Sequence, residues 1–101
     1  MEFFKKKLLT VITESEIEGH LLQDLDKLGA RGYTISPVKG KGEKGLRNAI
    51  WSANSNIKVE VICYPKTCDK MVEFLKKNYL KNYAMILFII DVEVFHPRKF
   101  D

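Results

Sequence analysis

The chain has 101 residues, 46% of them hydrophobic and 30% charged. That is the size and composition of one globular domain, 1–101. It excludes a cofactor domain joined to a substrate domain, a barrel of parallel strands and helices, and a disordered chain. Seventeen Lys and Arg against thirteen Asp and Glu leave a formal charge of +4, which admits phosphate ligands or an acidic partner without demanding nucleic acid.

Residues 7–13 are apolar and β-branched and read as a first strand. Ser15 followed by Glu18 has the form of a capping box. Ile17, Leu21, Leu25 and Leu28 then recur at helical spacing, and Gly29 stands where a helix C′ glycine belongs, so 14–28 is a helix with one apolar face. Residues 32–39 alternate, with Tyr33 and Ile35 on one side and Thr34 and Ser36 on the other. Pro37 makes this an edge strand. Ile57, Val59, Val61 and Cys63 alternate with Lys58, Glu60 and Ile62 in a third strand that Pro65 ends. Thr67 is placed to cap a second helix, with Cys68, Met71, Val72, Leu75 and Tyr79 on its buried face. Residues 83–95 form a long fourth strand.

The order β-α-β-β-α-β is that of an α+β ferredoxin-like domain: a four-stranded antiparallel sheet in order 4-1-3-2 with both helices on one face. The fourth strand is then an edge, yet 84–90 is apolar on both sides. Such an edge is an aggregation hazard unless it is buried, so other copies of the chain are expected against it; a C-terminal tail folded over the open face is the alternative. Cys63 and Cys68 are the only cysteines and read as small apolar thiols, because no Cys/His cluster completes a metal site. Residues 1–7 have no apolar signal core, and 84–90 is too short to span a bilayer. A cytoplasmic protein is the expectation.

Residues 40–55 join two neighbouring antiparallel strands where a hairpin needs only two to five residues. Loops of that length without a period are functional or disordered. Gly40, Gly42 and Gly45 let backbone approach a ligand closely, and Lys39, Lys41, Lys44 and Arg47 add positive charge offset only by Glu43. Glycine amides with cations suit phosphate, each charge-assisted hydrogen bond contributing roughly 1.5–3 kcal/mol. The ending and following helix of a Walker A loop are absent, and so is the dinucleotide fingerprint. Taken alone, the same chemistry equally fits a solvated hairpin. Trp51, the single tryptophan, stands beside Ile50 in this loop, either as a contact for a partner protein or folded back on its own subunit or a neighbour.

In Gly29, Ala30, Arg31, Gly32, Tyr33, Thr34 and Ile35, followed by Val38, Lys39, Gly40, Lys41 and Gly42, the sequence resembles the PII signal-transduction superfamily. Within it the nearer likeness is to PII-like proteins of the SbtB type, partners of a cyanobacterial bicarbonate transporter. The likeness extends through the first strand, Arg47, residues 56–60, Tyr83, Ala84 and 91–94. It implies a homotrimer binding an adenine nucleotide (AMP, ADP, cAMP or ATP) in clefts between subunits. Loop 40–55 corresponds to the T-loop, which signals to a target protein, a bicarbonate or other membrane transporter among the candidates. The implied nucleotide-binding residues are Thr34, Gly40, Lys41, Gly42, Lys44 and Arg47, and the implied partner contacts are Ile50 and Trp51. No catalytic residue, metal, required cofactor, nucleic-acid partner or membrane insertion is implied.

Departures from that family bear on the ligand. Glu43 stands where SbtB-like proteins often carry Ser, and a carboxylate repels phosphate. Lys44 replaces an arginine and forfeits bidentate geometry. Met85 replaces a smaller residue and would narrow the base pocket. Residues 76–82 contain no glycine, unlike the B-loop of nitrogen-sensing PII proteins, so mono- or diphosphates or a cyclic nucleotide fit better than a triphosphate. The modifiable T-loop tyrosine is not found in 40–55, and redox control by a cysteine-bearing C-terminal tail is not expected.

Other functions on this topology fit less well. RNA-recognition domains need aromatics on the third strand, which 56–64 lacks in the required motif. An acylphosphatase binds phosphate between its first strand and helix, where Glu14, Glu16 and Glu18 would repel it. A divergent PII-like or CutA-like trimer binding metal or another small ligand is the remaining alternative.

Overall fold

The computed structural model describes residues 3–40 and 56–96. Strand β1 (Phe3–Glu14) passes through a 3-10 turn (Ser15–Ile17) into helix α1 (Glu18–Leu28). Strands β2 (Thr34–Val38) and β3 (Asn56–Cys63), helix α2 (Pro65–Asn78) and strand β4 (Met85–Phe95) follow. The strands form one antiparallel sheet in the order β2-β3-β1-β4, the expected ferredoxin-like arrangement. Pro37 lies on edge strand β2, paired with Ile57 of β3 alone.

Register and burial settle which face is which. Leu9 and Val11 of β1 stand opposite Val61 and Val59 of β3, and all four are fully buried. This row packs with Leu21 and Leu25 of α1 and Cys68, Met71 and Leu75 of α2 in one core. Alternation along each strand leaves the other face open: Thr34 and Ser36 on β2, Lys58 and Glu60 on β3, Leu8 and Ile12 on β1, and Ile86, Phe88 and Ile90 on β4.

The ends of the helices follow local chemistry with two corrections. Gly29 caps α1 at φ 114°, its N–H donating to the Asp26 carbonyl while the Ala30 N–H reaches the Leu25 carbonyl at 3.0 Å. This is a Schellman closure, and its left-handed residue disfavours any side chain. The Ser15–Glu18 capping box does not form. Ile17 precedes α1 without a side-chain cap, and the chain enters through the 3-10 turn instead. Nor does Thr67 cap α2. The helix starts three residues earlier, with Tyr64 extended at the N-cap and Pro65 in the first turn. Proline suits that place because its φ is already helical and its missing N–H would have had no partner there.

Tyr79 closes the far end of α2. Its ring lies between Phe74 and Tyr83, with centroids 6.2 and 5.6 Å away, and its hydroxyl donates to Asp24 Oδ2 of α1 at 2.5 Å. Burial, then the hydrogen bond to the Asp24 carboxylate and its charge, push the phenol above its ordinary range. The unfolded phenol ionises near pH 10 while the folded one holds its proton, so this contribution is complete below that pH and is lost as pH rises further. Tyr79→Phe should cost about 1–2 kcal/mol in urea unfolding at pH 7. It should also flatten the decline in stability above about pH 10.

Candidate functional site

One end of the sheet gathers the residues that flank 41–55. Val38 of β2 stands opposite Asn56 of β3, and Asn56 stands opposite Glu14 of β1. Next to them Ala84, the residue before β4, is held through both backbone groups. Its N–H donates to Glu14 Oε2 at 3.0 Å, and its carbonyl accepts from Thr13 Oγ1 at 2.8 Å. Ala84 is buried, so these bonds form away from competing water and fix where the turn after α2 delivers β4. Sequence reasoning missed this clamp, and no local signal could have shown it, because its partners lie 70 and 71 positions apart.

Of the expected ligand residues, Thr34 and Gly40 are described, and both are exposed. Thr34 lies on the open face opposite Glu60, four residues from Val38 at the loop end of β2. At about 3.3 Å per residue that separation is about 13 Å, so a ligand touching Thr34 and the loop base would lie along the edge strand. Lys41, Gly42, Lys44, Arg47, Ile50 and Trp51, with Glu43, fall outside the described residues. Met85 does not line an open pocket: it stands opposite Thr13, 3% exposed, in the core beneath the helices. Alternation turns the residue after Ala84 inward.

The open face is graded. Near β2 it carries Thr34, Ser36, Lys58 and Glu60; along β4 it carries Ile86, Phe88 and Ile90, which are 44–49% exposed. Three aligned large apolar side chains on an edge strand form a patch that monomers rarely leave to water. No group of three or more metal-ligating side chains occurs among the described residues. No helix among them is long and apolar enough to cross a membrane.

The opposite end of the sheet holds an open cavity of about 670 Å³ lined by Lys5, Lys6, Lys7, Pro65, Asp91, Val92 and Glu93. Lys7 Nζ donates to Asp91 Oδ1 at 2.5 Å. That hydrogen bond and the Asp91 charge hold the ammonium above its ordinary value. Lys6 Nζ sits 3.2 Å from the centre of the Tyr64 ring. Cation–π contact offsets the burial of this lysine.

Residues 6–99 match the family described as nitrogen regulatory protein P-II. A PII-like signalling protein from Thermus thermophilus is similar in structure, with TM-score 0.79 and 34% identity over 93% of each chain. CPII, a nitrogen regulatory PII-like protein from Thiomonas intermedia bound to ADP, AMP and bicarbonate, shares the fold at TM-score 0.81. Its identity is 21%, over 96% of this chain and 100% of that one. A complex of Bacillus subtilis GlnK with ATP aligns at TM-score 0.67 and 18% identity, over 87% of this chain and 82% of that one. The chain belongs to the nitrogen regulatory protein P-II family.

Thr13→Val keeps the shape of the side chain but leaves the buried Ala84 carbonyl without its donor. It should cost about 1–3 kcal/mol in urea unfolding. A cost indistinguishable from zero would mean that the clamp does not hold the start of β4.

Proposed function

We propose that this P-II family protein is a nucleotide-responsive regulator. It binds an adenine nucleotide between subunits of a homotrimer and signals through 40–55 to a target protein in the cytoplasm. The observation that carries the reading is the family match across 6–99, in a chain whose β2–β3 connection is rich in glycine and cations. Nucleotides bound to CPII and GlnK support the ligand class. In this reading the backbone N–H groups of Gly40 and Gly42 approach the phosphates. Lys41, Lys44 and Arg47 supply cations, and Thr34 lies beside the base. Ile50 and Trp51 contact the target, with a membrane transporter among the candidates. The chemistry is binding rather than turnover.

The graded open face supports the assembly. Ile86, Phe88 and Ile90 lose their water contact when copies pack β4 inward. The polar strip along β2 and β3 stays at the seam, where a ligand would enter. Ligand binding shifts the loop only by its differential affinity for two loop states.

Isothermal titration with ATP, ADP, AMP and cyclic AMP should show micromolar-class binding at one site per chain, most of it lost in Arg47→Ala. No heat, with no thermal stabilisation at millimolar nucleotide, would turn the search to metals and small anions; a 10 μM site would stabilise by about 2.7 kcal/mol there. Light scattering should give a trimer. Phe88→Glu, which places a charge in the apolar strip, should shift it towards monomer without unfolding the chain.

A further inference from the structure

The chain has two cysteines, and they meet. Cys63 ends β3 and Cys68 lies in the first turns of α2. Both are buried in one core cluster, neither is in a disulfide, and Cys63 is near enough to Cys68 to favour its thiolate. The junction between them is tightly defined. Tyr64 is extended, Pro65 has its φ fixed by its ring, and the Cys68 N–H donates to the Tyr64 carbonyl at 2.9 Å. Cys63 stands opposite Lys7 across the ladder, and the Lys7 ammonium lies close enough to Cys68 to favour its thiolate. Lys7 and Pro65 also line the cavity of about 670 Å³, so the junction that carries the two cysteines borders the space a small solute can enter.

We infer that Cys63 and Cys68 form a redox-responsive dithiol, closed to an intrachain disulfide by a two-electron oxidant of the peroxide class. The Cys68 thiolate attacks one peroxide oxygen, the O–O bond breaks, and a sulfenic acid and hydroxide form. The Cys63 sulfur then displaces the sulfenic oxygen as water, and the S–S bond forms. The two sulfurs give up two electrons and two protons to hydrogen peroxide, which becomes two waters. A thiol reductant reverses the change. Burial raises Cys68 above its ordinary value, with the Asp69 charge acting in the same direction, against the opposing pull of Cys63 and Lys7. The thiolate is therefore scarce at neutral pH, and closure should accelerate as pH rises. The inference stands apart from the proposed nucleotide function, since the thiols lie at the other end of the sheet from Val38 and Asn56.

The test exposes the whole folded protein to hydrogen peroxide at pH 7 and pH 9, then denatures it in iodoacetamide. Mass spectrometry should find a chain about 2 Da lighter with neither cysteine alkylated. The product should form faster at pH 9 and disappear after dithiothreitol. Cys63→Ser and Cys68→Ser should each stop at a sulfenic or higher acid on the remaining sulfur. Because the decisive reading is made on the unaltered chain, it survives a variant that fails to fold. Two alkylated cysteines after exposure, a disulfide only between chains, or separate overoxidation of both sulfurs would each overturn the inference.

Discussion

The alternation of β1 is the constraint on which the rest of the structure depends. This strand is paired along both edges, to β3 on one side and β4 on the other. Leu9 and Val11 point to the helices and are fully buried, while Leu8 and Ile12 point to the open face. A slip of one residue would exchange these sets and strand the helices over the wrong side chains. The same register carries Thr13 and Glu14 to the Ala84 backbone and Lys7 to Asp91. Both ends of the sheet are thus placed by one strand.

Much of this is legible in the sequence because the signals are local. Pro37 marks an edge strand, Gly29 marks the left-handed close of α1, and the recurrence of Met71, Leu75 and Tyr79 marks the buried face of α2. The failures share a different physics. Ser15 and Thr67 are residue types that suit caps, but the chain takes a 3-10 turn at one and lets Pro65 begin the helix at the other. Family likeness makes Met85 a pocket wall, and only the register with Thr13 shows that it faces the core. Ala84 gives no sign of its clamp, because both partners come from the other end of the sequence. Thr34 is legible as part of an exposed edge strand, but the loop cations grouped with it fall outside the described residues.

The apolar strip on β4 separates two demands on one sheet. Side chains on its helix face build a monomer core that includes Met85. Ile86, Phe88 and Ile90 on the other face contribute nothing to that core and remain 44–49% exposed. Hydrophobic burial stabilises at roughly 25 cal/mol per Å² removed from water, so these side chains favour association rather than folding. A chain of this size has surface to spare, and placing apolar residues on an edge strand while β2 keeps Thr34 and Ser36 gives each subunit a sticky side and a wet side.

The two ends of β3 set a limit on how the proposed sites could communicate. Asn56 opens the strand opposite Val38 and Cys63 closes it next to the start of α2, seven residues apart, or about 23 Å at strand rise. Coupling over that distance requires an element with two discrete arrangements that both sites bias. Strand β3 is hydrogen-bonded on both edges, and its alternate residues Val59 and Val61 are fully buried. Shifting it would break the registers of β1 and β2 together. Closing a disulfide between Cys63 and the start of α2 instead perturbs a junction at the strand's end, where the change can be absorbed in the first turn of the helix. The architecture therefore favours independent action of the proposed thiol chemistry and the proposed nucleotide response within one subunit. Any link between them would run through contacts with neighbouring copies rather than along the sheet.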